Sequence, residues 1–292
     1  MSFERRLEPR GGSARRDGPG SRLGSFATGG LILAALVLAA LWSAWRLQLD
    51  PADLLPDRGG LRLAGEFFGR ALRPALHFQS DWGAAGGDSL LRQALRAAGA
   101  TVVFAATALS VAVVGGFVLG FLGSTRLMGR RLAPVVAVVR VLANVLRSVH
   151  ELIWAVLLLA ALGHGPGVAV AAIALPYTGV LAKIFGELID ETPTDAADAL
   201  GLAGAPPAAR FAVGILPRAL PDMLAYTFYR FECALRSSAV LGFFGFPTLG
   251  YHLAASFENL YYGEVWTYLY VLLVLVLVVD WWSGRLRREL VS

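Results

Sequence analysis

The sequence predicts an all-α, polytopic membrane protein with six transmembrane helices and a pair of short helices on the cytoplasmic side. Three observations predict it. Hydrophobic residues make up 56% of the 292 and charged residues only 16%, the balance of a membrane chain and not of a soluble one. The apolar residues gather in long runs, several of which reach the roughly 20 residues that cross a bilayer as a helix. One polar island, Thr192 to Pro221, interrupts these runs with proline and glycine in the pattern of a helical hairpin.

Residues 1–25 are rich in Arg, Gly and Ser and are expected to be disordered and cytoplasmic. The run 26–45 is a first transmembrane helix. It is longer than a signal-peptide core and no small-residue cleavage site follows it, so it is expected to be retained. Residues 46–97 form a mixed polar, extracytoplasmic segment in which Leu61 to Leu76 has the spacing of an amphipathic helix lying along the membrane surface. A core over 98–284 follows, and 285–292 is a short basic C-terminus. Within the core the second span runs from about Ala98 to Leu122, where Gly115, Gly116 and Gly120 permit close helix packing. The further spans are placed at 134–162, 167–184, 218–241 and 266–282.

Orientation follows from the basic residues. Lys183 is the only lysine, and the formal charge of +5 rests on arginine. With both termini in the cytoplasm, fifteen of the 26 basic residues fall on the inside and seven on the outside, the bias that cytoplasmic loops show. The arginines flank apolar spans and form no patch interleaved with aromatics, so nucleic acid is not an expected partner. The surrounding lipid is. The single cysteine, Cys233, permits no intrachain disulfide.

The island reads as two short helices over 193–213. Thr192 is placed to cap the first, Pro193 suits its first helical position, and Asp195 falls in its favourable first turn. Gly204 is the natural left-handed stop. Pro206-Pro207 cannot continue the first helix but can open a second, which reaches about Val213 and feeds Leu216-Pro217 into the next span.

Charges inside the spans are costly and need partners or water. Arg147 and Glu151 are four apart, as are Glu232 and Arg236, so each pair can close along one helix face. Arg140 and Arg230 are left for cross-helix bonds or an anion. Two readings stay open: a pathway or gate for an anionic solute, and an ion-pair network bracing helices or subunits. After Arg236, Gly242, Gly245, Pro247 and Gly250 break the helical run; this is either a candidate outer gate or a loop above the membrane.

No Gly-Lys-Ser/Thr phosphate-binding loop is possible around Lys183, so any ATP site belongs to another chain. His77, His150, His164 and His252 lack metal-ligand spacing, and no Gly-x-Ser-x-Gly elbow occurs. No catalytic residue, metal or bound cofactor is expected.

The pattern Asp198-Ala199-Leu200, Gly204, Leu216-Pro217 resembles the cytoplasmic coupling motif of ABC-importer permeases, with Asp198 in place of the usual Glu and Leu200 in place of a second Ala. Further resemblance lies in Glu151-Leu152-Ile153-Trp154-Ala155, Tyr229-Arg230-Phe231-Glu232, Arg236-Ser237-Ser238-Ala239-Val240-Leu241-Gly242 and Asp280-Trp281-Trp282. Together these cover roughly 90–290 and resemble permeases of the phosphonate-import family. Phe246-Pro247-Thr248 departs from the small residues usual there. The resemblance implies a type I ABC-importer permease fold in a bacterial inner membrane, paired with a second copy or a paralogue. It implies two ABC ATPase subunits, carrying the ATP and Mg, docked on 193–213, and an extracytoplasmic binding protein that delivers phosphonate or phosphite. Asp195, Asp198, Ala199, Leu200, Gly204, Leu216 and Pro217 would make the coupling contact. Arg140, Arg147, Glu151, Arg230, Glu232 and Arg236, with the break at Gly242, Gly245 and Pro247, would line or brace the pathway. A permease for an amino acid or another oxyanion, and a membrane scaffold with no transport role, are the competing readings.

Overall fold

The structure, a computed structural model, describes residues 19–48, 57–79 and 89–291. Among the described residues all regular structure is helical. The chain divides after Gly65 into two compact units. The first contains α1 (Pro19–Arg46), whose Leu31, Leu38 and Trp45 are all exposed. Its 28 residues rise about 42 Å, more than a bilayer core requires. The disordered tail expected over 1–25 lies outside the described residues as far as 18, and from Pro19 the chain is already helical.

Helix α2 (Arg58–Gly69) is shorter than the amphipathic helix expected over 61–76. Pro74 has no N–H to continue a helical ladder, and residues 70–79 fold as turns against the start of α10 (Tyr262–Val291). Phe67 lies tilted against Trp266 at 5.1 Å and meets Tyr262 edge-on at 5.5 Å. Trp266 Nε1 donates to Phe67 O at 2.7 Å and Thr267 Oγ1 to Ala75 O at 2.6 Å. This segment is therefore docked on protein at its C-terminal end.

Helix α3 (Leu90–Gly123) is the long axis of the second unit, opened by Ser89, whose hydroxyl accepts from Arg92 N. One face carries Ala105, Ala108, Ala112, Gly116 and Gly120 and is buried against α6 (Pro166–Glu191); the other exposes Val103, Val111, Val114 and Val118. The two backbones approach so closely that a Cβ on Gly120 would lie 2.9 Å from Ala182 O. Packing between small residues, and not expulsion of water, is what joins helices in lipid, and the glycines read in the sequence serve it. Ile173, Leu181 and Phe185 of α6 complete this core with Leu235 of α8 (Leu216–Val240).

Two expected spans prove to be bent. The third is α4 (Ala133–Ser148) followed by α5 (Glu151–Leu162), which meet at 91°. His150 causes the break: its backbone is extended and its Nδ1 accepts from Leu152 N at 3.3 Å, starting a new helix with Glu151 in the favourable first turn. Trp154 Nε1 donates back across the bend to Leu146 O. The fifth continues beyond Val240 through a 3-10 turn, Leu241–Phe244, and then bends by 45° into α9 (Leu249–Glu258). Among the described residues four helices are long and apolar enough to cross a membrane, and up to six spans result if each bent pair counts as one. The helices also outrun the expected spans, as α3, α6 and α10 each extend past their apolar windows.

Irregular backbone at the second bend is satisfied by protein, as depth in a membrane demands. Leu249 N donates to Thr101 Oγ1 at 3.1 Å, Thr248 Oγ1 to Ala239 O at 3.2 Å, and Gly242 lies so near Tyr251 N that no Cβ would fit. Leu90, Ala94, Leu249 and Tyr268 form a second apolar cluster around it.

Candidate functional site

Between α6 and α8 the polar island folds as a hairpin. Its first arm is α7 (Asp195–Leu202); its second is a helical turn, Pro207–Ala209, running through a π-helical segment, Arg210–Ile215, into α8. Thr192 does not cap α7: it ends α6, with Oγ1 donating to Leu188 O at 2.6 Å, and Pro193 lies outside both helices. Thr194 precedes α7 without a side-chain cap. The expected stop at Gly204 is present, with φ +82°. Ala205 N donates to Leu200 O and Gly204 N to Gly201 O, the two bonds that close a helix on a left-handed glycine. The second arm does not end at Val213. Pro217 has no N–H to give Val213 O, so the turn before it widens and the helix continues.

Side chains lock the arms together. Gly214 sits on Ala197, where an added Cβ would lie 2.8 Å from the Ala197 Cα. Arg210 Nε donates to Ala197 O at 3.0 Å and its NH2 lies 3.3 Å from Asp198 Oδ1, while Arg218 NH1 reaches Asp195 Oδ2 at 3.4 Å. Phe211 meets Phe121 of α3 edge-on at 5.0 Å. Outward stand the acids Asp195 and Asp198 among small or apolar residues: Ala199 and Pro217 are exposed, Leu200 and Leu216 are half-buried, and Leu202 and Val213 are 93% and 66% exposed.

Beside the hairpin, Asp190 near the end of α6 gathers the start of the turn Thr125–Met128. It accepts from Ser124 Oγ at 2.5 Å, from the Thr125 hydroxyl, and from the N–H groups of Thr125 and Arg126. Arg140 belongs to this cluster, with NH2 3.2 Å from Asp190 Oδ2 and Nε donating to Gly123 O. It is thus at the hairpin end of the bundle and not in mid-span. Sequence reasoning missed Asp190, Arg210 and Gly214. Asp190 did leave a signal, because an acid in the last turn of a helix opposes the helix dipole and needs donors from elsewhere.

The remaining span charges meet differently from expectation. Glu151 does not pair with Arg147, because the bend at His150 separates them. It accepts from Ser237 Oγ at 2.7 Å, and Arg147 Nε bonds Asn144 Oδ1. Glu232 does not pair with Arg236; it is buried against α10, with Arg287 NH2 3.0 Å away in ion-pair range though not aligned as a hydrogen bond. Arg230 lies about 21 Å along α8 from Leu216. It donates from Nε and NH2 to Tyr226 OH at 3.1 and 2.8 Å, and its guanidinium lies 5.3 to 5.8 Å from the rings of Tyr177, Tyr226 and Tyr229. Arg147, Arg230 and Arg236 border one cavity of about 380 Å³. Gly242 is buried in the second bend, whereas Gly245, at φ +87°, and Pro247 are exposed there.

A helical bundle with a closed hairpin projecting between two of its long helices is the architecture of ABC-importer membrane subunits. It is shared with the MetNI methionine ABC transporter in inward-facing form, at TM-score 0.58 and 21% identity over 67% of this chain and 95% of that one. A structure of an amino acid ABC transporter matches at TM-score 0.56 and 19% identity, over 65% and 90%. Residues 116–291 match the family described as binding-protein-dependent transport system inner membrane component, and the chain belongs to that family. The phosphite transport system permease protein PtxC of Stutzerimonas stutzeri is 33% identical over 88% of this chain and 87% of its own length. The phosphate-import permease protein PhnE of Mycolicibacterium smegmatis is 31% identical over 50% of this chain and 28% of its own.

Proposed function

We propose that this chain forms the translocation pathway of an ATP-driven importer for phosphite, phosphonate or a related phosphorus oxyanion. The observation that carries the solute class is the near full-length similarity to the Stutzerimonas stutzeri phosphite permease. In this reading the chain sits in a bacterial inner membrane with both termini cytoplasmic, pairs with a second copy or a paralogue, and receives its solute from an extracytoplasmic binding protein. Two ABC ATPase subunits, which hold the ATP and Mg, dock on the hairpin. Its exposed Leu202 and Val213 offer an apolar knob, and Asp195 and Asp198 offer acids held in place by Arg218 and Arg210.

Nucleotide closure of the ATPase pair would move each hairpin as a rigid body. Because α8 continues the hairpin's second arm without a break, that movement would be passed to α8, to Arg230 and to the bend at Gly242, Gly245 and Pro247. The bend then serves as the outer gate. The test is ATP hydrolysis by the chain reconstituted in liposomes with its ATPase and binding protein, supplied in turn with phosphite, methylphosphonate, phosphate and methionine. Stimulation by a phosphorus oxyanion is expected. Stimulation by methionine alone would replace the solute, and failure of any ATPase to assemble would return the chain to the scaffold reading.

A further inference from the structure

We infer that the cavity bordered by Arg147, Arg230 and Arg236 is a binding site for a tetrahedral oxyanion within the permease itself. The inference rests on the importer reading above and goes beyond it by naming the residues that hold the solute on its way through. The cavity, about 380 Å³, is also lined by Tyr177, Ser237 and Glu151. Among the described residues no carboxylate lies within ion-pair range of any of its three arginines, whereas Arg140, Arg210, Arg218 and Arg287 each have one. Arg230 is half-buried in an apolar bundle, and a charge held there without a counter-ion is costly. A transient anion would supply what the protein does not.

The arginines are also posed for the task. Arg230 has its face covered by tyrosine rings and its Nε and NH2 edge fixed on Tyr226 OH. A guanidinium carries five donors in a plane, so its NH1 remains available without further ordering. Arg236 is exposed, and its one polar contact is a long one, 3.9 Å to Cys233 Sγ. Tyr177 OH and Ser237 Oγ, 3.2 Å apart, add hydroxyls. Glu151 is the opposing charge, and it is engaged by Ser237 and by His150 at 3.7 Å. An acid in the wall keeps the hold weak, as passage requires: a site on a conduction path must release what it binds. The volume exceeds that of a bare oxyanion and leaves room for hydration or a short organic tail.

The cavity also has an onward route. Arg147 borders a second cavity of about 250 Å³ that includes Lys183 and Arg140 and lies toward the hairpin. There Lys183 is paired with Glu187 at 3.4 Å and Arg140 with Asp190, so an anion released from Arg230 and Arg236 meets basic side chains whose charge is already partly balanced.

The test uses the permease–ATPase complex purified in detergent without binding protein, with phosphite as the probe in calorimetry. Saturable binding is expected, weakened about tenfold or more in Arg236→Gln, the loss of a charged hydrogen-bond partner, and unaltered in Arg288→Gln at the end of α10. Arg230→Gln should weaken it at least as much; should that variant fail to assemble, Arg236→Gln, which removes no buried contact, decides the matter. Phosphate of a lipid headgroup has the same chemistry, so binding is repeated in nanodiscs with and without anionic lipid. Phosphite binding in the neutral lipid supports the site, and occupancy by anionic lipid alone overturns it. Phosphite-stimulated ATP hydrolysis in the full system, with no binding to the permease or with binding indifferent to Arg236, would overturn the site while leaving the importer reading intact. A full system driven only by methionine, with no phosphite binding to the permease, would overturn the importer's solute and the site together.

Discussion

At the hairpin end three arginines each have an aspartate, Arg140 with Asp190, Arg210 with Asp198 and Arg218 with Asp195, whereas around the cavity Arg147 has an amide, Arg230 a hydroxyl and tyrosine rings, and Arg236 a distant thiol instead. The difference separates two uses of the same residue. A paired arginine spends its charge on fixing one conformation, which suits a hairpin that must pass a partner's movement on as a rigid body. An arginine with only neutral neighbours keeps its field, which suits a wall that meets a charged solute. Neutralising residues in the first region should therefore change shape and assembly. In the second it should change binding and leave shape alone.

The strongest way to break the first half of this contrast is Gly214→Ala. The added Cβ would lie 2.8 to 2.9 Å from the backbone of Ala197, and relief requires the arms of the hairpin to part. A cost of about 1 to 3 kcal/mol is expected from such overpacking. It should appear as loss of the ATPase from the affinity-purified complex, while the permease alone still extracts as a folded membrane protein. Retention of the ATPase at wild-type yield would show that the hairpin is not the docking element.

Asp190→Asn tests the cluster beside it. The carboxylate accepts four bonds from the turn at Ser124–Arg126 and faces Arg140. An amide keeps the shape but loses the charge and turns one acceptor into a donor. Because the side chain is partly exposed, a loss of about 1 to 2 kcal/mol is expected, the range of one or two charge-assisted hydrogen bonds. It should be read as a lower melting temperature of the purified permease. Gly204→Ala ranks close behind at about 1 to 2 kcal/mol, the penalty for a Cβ in the left-handed region. Nothing lies within 4 Å of that Cβ, so the loss should be confined to the hairpin and show as faster proteolytic cleavage there.

These variants also mark what the chain's own residues disclose. The hairpin is legible in sequence because local chemistry dictates it: Gly204 alone tolerates the stop, and Pro207 and Pro217 act through absent N–H groups. The small face of α3 is legible for the same reason. The ion pairs are not, since a four-residue spacing puts Arg147 and Glu151 together only if the helix continues between them. His150 reads only as a histidine without metal-ligand spacing until its ring is seen accepting from Leu152 N. Arg140 and Asp190 are 50 residues apart, and no periodicity connects them; only the crossing of α4 and α6, set by Gly179 lying against Ala143 and Arg147, brings them together.

The smallest effect on stability sharpens the contrast most. Arg218 and Arg236 are both exposed arginines of α8, one with Asp195 and one with no carboxylate. Arg218→Gln breaks a pair whose acid is 85% exposed, and such surface pairs contribute about 0 to 1 kcal/mol. Arg236→Gln removes no ion pair at all. Neither should move the melting temperature by more than a degree or two, on the scale of a few tenths of a kcal/mol. If the two arginines do the same work, the variants should also be alike in phosphite uptake at limiting solute. If Arg236 lends its field to the pathway, Arg236→Gln should need a higher phosphite concentration for half-maximal uptake. Arg218→Gln, which acts only through the hairpin, should lower the maximal rate without shifting that concentration. A melting loss of several degrees in Arg236→Gln would instead make it a structural residue and erase the distinction between the two regions.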